Sequence, residues 1–543
     1  MAKCRQPPIG SSLWPGIVVS GLLITIAVVT FSTLWLHAPQ ISWQEFIDDS
    51  YLWHVIGFTF WQALLSTVLS VIPAIFLAKA LFRRHFPGRI LFLRLCSMTL
   101  VLPVLVAIFG LLTVYGRVGW IAQFCQWLGI NYQFTPYGLK GILLAHVFFN
   151  LPLAMRMLLL ALENIAVEQR QLAAQLGMNQ WQHFRIVEWP YLRRQILPTS
   201  ALIFMLCFAS FATVLTLGGG PAATTIELAI YQSLSYDFDL NKAALLALIQ
   251  LFCCLGLVLL SQKLNVVFSV GASRQLRWTN PADSRWQKWW DTLLISMTLF
   301  FLIPPFLAII VDGLNLTLLH VLQQPGLWQA AINSIFIAIS AGVLCIILTM
   351  MLLWSSRELR LRRSILLYRT FELSGLLILA MPGIVLATGF FLLLNNTINL
   401  TYSPYSLIIL TNALMAIPYA LKILENQMYD LAERYNLLCL SLQIKGINRL
   451  ALIELKALKR TIGQAFAFAC ILSIGDFGII ALFGNENFRT LPYYLYQQLG
   501  SYRNNDAAVT SLLMLLLCFS LFSLFSLFSL FSLLEYLSGK EHD

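Results

Sequence analysis

The sequence predicts an all-α polytopic membrane protein with about twelve transmembrane helices in two parallel six-helix repeats. Three observations carry this. Of 543 residues, 59% are hydrophobic and 11% are charged, whereas soluble domains carry about 25% charged residues. Apolar stretches long enough to cross about 30 Å of hydrocarbon recur along the chain. The two halves of the chain also match one another at a single fixed offset, the one that carries Pro152 onto Pro418.

In chain order the stretches lie near 16–36, 54–82, 91–115, 139–161, 197–217, 241–262, 291–312, 327–354, 368–394, 405–425, 461–483 and 506–535. Backbone groups in lipid must be satisfied within the segment, so each is expected to be a helix. The first is longer than the apolar region of a signal peptide and lacks a small-residue cleavage site before His37, so it reads as a retained anchor. Pro103, Pro152, Pro382 and Pro418 fall inside the stretches, where a missing N–H permits a kink or a gate. Bends tolerated because neighbouring helices bury them are an equal alternative. The last stretch holds "FSLFSLFSLFSLFSLL" (Phe519–Leu534). Its three-residue period carries serine around every helix face and makes no narrow seam, which suits a peripheral span.

The net charge of +11 could suggest nucleic acid, but the basic residues cluster in alternate loops. Arg83, Arg84 and Arg89, then Arg170, Arg185, Arg193 and Arg194, then Arg274 to Lys288, Arg357 to Arg363 and Lys445 to Arg460 all fall on one side. Arg117, Lys140, Lys242, Arg489 and Arg503 fall on the other. That bias predicts cytoplasmic termini, and orienting the chain is the default role of any single Arg or Lys. The ten cysteines have no metal or disulfide spacing, so no metal site is expected.

At the same offset Glu188 meets Glu454, Arg194 meets Arg460, Phe211 meets Phe477 and Gly218 meets Gly484. Two greasy segments matching by chance would not keep Pro, Glu, Arg and Gly in register. The first repeat is taken as residues 1–275 and the second as 276–543. An even number of spans per repeat gives both the same orientation, with a pseudo-twofold axis along the membrane normal. The Trp-rich segment Lys263–Trp290 links them as an interfacial anchor.

Within residues 165–195, apolar residues recur at Leu172, Leu176, Trp181, Phe184 and Val187, which are helical spacings. Gly177 lies between the two runs and suits a left-handed helix end. Pro190 suits an early helical position. Residues 431–461 repeat the apolar face with Leu438, Leu442, Ile447, Leu450 and Ile453. A short amphipathic helix pair can lie on lipid or dock in a partner's groove. Two copies suit a partner with twofold symmetry.

The loop resembles the EAA motif of ABC importer permeases, with Gln171, Leu172 and Ala173 at the EAA positions, Gly177 at its glycine, and Val187, Trp189 and Pro190 at its end. The longer strings "EQRQLAAQLGMNQWQHFRIVEWPYLRRQILP" and "GDFGIIALFGNENFRTLPYYLYQQLGSYR" are similar to the thiamine permease family of Gram-negative bacteria, over nearly the whole chain. The resemblance implies a coupling loop that docks on a separate ATP-binding subunit, two copies of which would meet the two loops. In the first loop it marks Gln171, Ala173, Gly177, Trp181 and Pro190 as coupling residues; in the second it marks Leu437, Cys439, Gln443 and Ile447. It also implies a periplasmic thiamine-binding protein as partner and no cofactor on this chain. The second copy departs from the motif. Gln443 stands where glycine is expected and Lys456 where proline is expected, which predicts a different turn and a better-formed first loop.

Asp476 in "SIGDFGII" is the leading pathway residue, since an acid in a span is costly and a carboxylate offsets the lost hydration of a cation. Helix-to-helix hydrogen bonding is the equal alternative. Glu227 and Tyr236 are pathway candidates near the far rim, and Tyr493, Tyr494 and Tyr496 could stack on a heteroaromatic cation or belong to an aromatic belt. The chain lacks G-x-x-x-x-G-K-[ST], H-E-x-x-H and G-x-S-x-G, so it carries no P-loop and no such hydrolase centre. A ferric-iron permease and an ion-driven carrier are the competing readings; the latter class often uses several membrane-embedded charges, and here Asp476 is nearly alone.

Overall fold

A computed structural model describes residues 10–37, 48–264, 284–362, 381–394, 404–444, 446–484 and 488–538, with some positions between 364 and 378. The first half forms α1 (Gly10–His37), α2 (Ser50–Arg83), α3 (Arg89–Met98), α4 (Val104–Tyr115), α5 (Trp120–Trp127), α6 (Leu139–Glu163), α7 (Val167–Gln175), α8 (Gln180–Phe208), α9 (Phe211–Leu217), α10 (Ile226–Ser235) and α11 (Leu240–Leu264). The second half forms α12 (Arg285–Gly313), α13 (Leu318–Leu322), α14 (Pro325–Leu361), α15 (Gly383–Leu394), α16 (Tyr405–Ser441), α17 (Gly446–Gly475), α18 (Gly478–Phe483), α19 (Leu491–Gly500) and α20 (Asn504–Ser538).

Among the described residues ten segments are helical, long and apolar enough to cross a membrane, one of them formed by α4 and α5 together (Val104–Trp127), and eleven if α8 and α9, which meet at 54°, count as one broken span. The expected twelfth, 368–394, is represented by the shorter α15; several residues before it lie outside the described set. Most of the linker 263–290 also lies outside that set. The prolines divide by context. Pro152 and Pro418 sit inside continuous α6 and α16. Pro103 caps α4 after a break that splits the predicted 91–115 stretch into α3 and α4, and Pro382 immediately precedes α15.

The two halves are interwoven. Helix α1 packs on α14 and α15 of the second half, while α12 packs on α4 and α2 of the first. Both crossings are close. The Gly16 N–H donates to Ser355 Oγ at 2.8 Å, and a Cβ at Gly110 would lie 2.6 Å from the Pro305 carbonyl oxygen. In lipid, where apolar surface gives helices no reason to associate, small residues and polar pairs supply the contact. Ser66 Oγ and His146 Nδ1 are 2.8 Å apart in the first half, and Asn412 Nδ2 donates to Ser473 Oγ at 2.9 Å in the second. His146 and Asn412 are equivalent in the repeat. Sequence halves are therefore not separate bodies: each lends its first helix to the other.

Candidate functional site

The two EAA-type loops fold alike, which corrects the expectation of a different second turn. In the first, Met178 N–H donates to the Ala173 carbonyl at 3.1 Å and Gly177 N–H to that of Ala174 at 3.0 Å. In the second, Ile444 N–H donates to the Cys439 carbonyl at 2.9 Å and Gln443 N–H to that of Leu440 at 3.3 Å. This is the same Schellman helix end, whose penultimate position needs a left-handed residue. Gly177 has φ 63° and Gln443 has φ 56°, so the glutamine accepts the backbone strain that glycine avoids. One wide π turn follows in each copy, Phe184–Glu188 and Leu450–Glu454, at matching places in the repeat. Pro190 follows the first π turn, but Lys456 stands at the matching place, so proline is not its cause.

The copies differ elsewhere. In the first, Asn179 and Gln182 form a reciprocal capping box at 2.9 and 3.0 Å. The chain also leaves the helix between α6 and α7, whereas the second copy runs unbroken through α16. There Arg449 donates to the Ala432 carbonyl at 3.0 Å and to Asn436 Oδ1 at 3.2 Å, bracing the continuous helix. The first loop is thus not the better formed; the two are braced differently.

The predicted apolar face splits in two. Leu172, Leu176, Trp181, Leu437, Leu438, Leu442 and Ile447 are exposed, as are Gln171 and Gln443. Ala173 and Cys439, equivalent by the repeat, are buried and seat the helix on the body, and Val187 is buried as well. Pro190 is half-buried at the first turn of the α-helical part of α8.

Beneath each loop lies a buried carboxylate to which motif and spacing assign no role. Glu188 Oε2 is 3.6 Å from Lys79 Nζ, and its Oε1 is 3.4 Å from His183 Nδ1. Glu454 is bonded by Arg357 Nη1, and its Oε1 accepts from Arg449 Nε at 3.1 Å. Glu188, Glu454, Arg357 and Arg449 are all buried, so these two arginines do more than orient the chain. The signal available in the sequence is the Glu188–Glu454 register match.

At the other end of α8 and α17, the helices break and the halves meet. Phe211, the first residue of α9, stacks on Phe477, which caps α18, at 6.2 Å and 21°. Tyr231 packs edge-on against Phe211 at 5.3 Å, and Tyr496 packs tilted against Phe477 at 4.9 Å and 46°. One acid meets each break, Glu227 reaching the first from α10 and Asp476 lying within the second. The Glu227 carboxylate, buried, accepts from the Phe211 backbone. The Asp476 carboxylate accepts from the Gly478 and Ile479 backbone, while its Oδ2 is buried with no hydrogen-bond partner. Discontinuous helices at a repeat interface are where transporters build their sites. A cavity of ≈ 380 Å³ lies beside this stack, lined by Tyr231, Tyr236, Phe238, Phe391 and Tyr493 among others. Tyr236 and Tyr493 are thus brought together, whereas Asp476 and Glu227 lie outside the lining. Tyr494 instead donates to Gln324 Oε1 at 2.8 Å. Among the described residues no group of His, Cys, Asp and Glu could hold a metal ion.

Comparison with known proteins fits this architecture. The family profile described as "Binding-protein-dependent transport system inner membrane component" matches residues 70–268, which include the first loop and the first helix break. The thiamine transport system permease protein ThiP of Escherichia coli (strain K12) is 64% identical over 96% of this chain and 97% of its own length. That of Haemophilus influenzae (strain Rd) is 43% identical over 93% and 94%, and that of Brucella abortus (strain 2308) is 42% identical over 87% and 86%. The chain is therefore a multi-pass inner-membrane component of a transport system, a transporter subunit and not an enzyme. It belongs to the family of thiamine transport system permease proteins.

Proposed function

We propose that this chain is the permease of an ATP-driven importer that moves thiamine, with its phosphate esters as further candidates, from periplasm to cytoplasm by alternating access. The observation that carries the coupling is the pair of EAA-type loops, with the same left-handed turn and the same π turn in each half. Their exposed leucines, Trp181 and Ile447 suit a groove on a partner. Two such loops call for two copies of a separate ATP-binding subunit, since the chain has no P-loop of its own. Rigid-body motion of those copies would pass through the loops into α8 and α17.

In this reading residues 1–275 and 276–543 are the two permease repeats, both termini are cytoplasmic, and a periplasmic thiamine-binding protein docks on the opposite face. The chain itself uses no cofactor; ATP is consumed by the partner. Glu227, Asp476 and Tyr236 belong to the pathway at the helix breaks. The aromatic cavity suits a flat heteroaromatic cation. Full-length identity to thiamine permeases supports this cargo over ferric iron, and the paired loops support ATP over an ion gradient. The test is uptake of labelled thiamine and of labelled ferric iron by cells with and without the gene. Thiamine uptake that depends on the gene is expected; gene-dependent iron uptake alone would overturn the cargo assignment.

A further inference from the structure

Two carboxylate-centred triads sit at matching places in the two halves, and transport as described above uses neither. Each joins two elements, α8 with α2 and α17 with α14. Glu188 and Glu454 occupy the last position of the π turns, where the loop becomes a long helix. His183 and Arg449, equivalent in the repeat, come from the residue just before each π turn. Lys79 and Arg357 come from earlier spans packed on α8 and α17, each one helical turn before the end of its helix, α2 at Arg83 and α14 at Leu361, although the two are not equivalent in the repeat. The side chains are at most 17% exposed in the first triad and 8% in the second.

We propose that Glu188 and Glu454 are positioning residues for ATP coupling: each pins its loop to the neighbouring span, so that the loop cannot swing without carrying α2 or α14 with it. Charge buried this deeply holds only while its partners stay in contact, which makes the triad a stiff joint. The π turn beside it is the compliant part, since a widened turn is a local departure from the helix ladder. The joints are unequal. Arginine offers a planar fork where lysine offers a point charge, and Arg449 is also tied to Ala432 and Asn436. The second joint is therefore the stiffer, and its loss the more damaging.

This inference rests on the coupling reading of the two loops. The test uses the intact complex in proteoliposomes: permease, ATP-binding subunit and binding protein, with labelled thiamine on the binding-protein side and ATP on the loop side. Glu454→Gln is expected to lower thiamine taken up per ATP hydrolysed roughly tenfold, in the range that positioning residues command over coupling, while ATP hydrolysis continues and loses its stimulation by thiamine-loaded binding protein. Glu188→Gln is expected to do the same more weakly, and Glu454→Asp to restore part of the ratio. Lys79→Met, which leaves His183 on Glu188, reports on the joint if Glu454→Gln does not assemble, and a lowered ratio is expected there too. A purely structural role would lower uptake and hydrolysis together, in proportion to the amount of complex. An unchanged ratio in assembled variants overturns the joint alone. No thiamine uptake by the unaltered complex overturns the transport reading beneath it.

Discussion

At the scale of single residues, the two loops show one backbone conformation reached from two side chains. Left-handed backbone at a non-glycine residue costs about 1–2 kcal/mol, and Gln443 bears that cost where Gly177 does not. A Cβ at Gly177 would meet nothing within 4 Å, so only the backbone resists substitution there. Gly177→Val is expected to lose thiamine uptake while still inserting in the membrane, and Gly177→Asn to keep most of it, because asparagine tolerates this conformation. Equal uptake by both variants would show that the turn does not matter. Asp476 offers a second clean test. Asp476→Asn keeps an oxygen for the Gly478 and Ile479 backbone but removes the charge. Weaker uptake of the cation is expected, seen as a raised KM; unchanged kinetics would leave Asp476 as a helix cap only. The Gly177 end was legible in the sequence from glycine between two helical runs. The Gln443 end was not, because side-chain identity predicts strain-free turns, whereas Gln443 takes the left-handed conformation at φ 56°.

At the scale of elements, the repeat matters more than any single motif. The amphipathic spacing around Leu172 and Leu442 announced the loops, and the fixed offset announced their equivalence. Which apolar residues face out could not be read from spacing alone, since Val187 shares the periodicity of exposed Trp181 yet is buried. The outward set makes a prediction. Leu442→Glu should reduce copurification of the ATP-binding subunit, and Leu176→Glu with Leu442→Glu should abolish it, because a charge then opposes each groove. Retained copurification in the double variant would move the docking surface elsewhere. The buried triads were hidden for a different reason. Lys79 and Arg357 lie far from their carboxylates in sequence, and basic residues at the end of a span ordinarily only set orientation.

At the scale of the whole molecule, twelve apolar stretches were legible because length and hydropathy are local properties. How the helices are traded between halves was not, since it depends on close crossings such as Gly16 on Ser355. That exchange bears on the proposed mechanism: α1 and α12 are the contacts through which a motion begun at one loop would reach the other half. The broken helices bring Phe211 and Phe477, one from each half, face to face between the two acids. The molecule thus has two equivalent loops at one end of α8 and α17 and a shared aromatic junction at the other; in the proposed function the loops are the inputs that open and close a central path. The most direct measurement is labelled thiamine accumulation in proteoliposomes holding the permease, its ATP-binding subunit and the binding protein. Accumulation should require ATP on the loop side and stop when the loops are disabled by Leu176→Glu with Leu442→Glu. Thiamine accumulation driven by an ion gradient without ATP would contradict ATP coupling through the two loops.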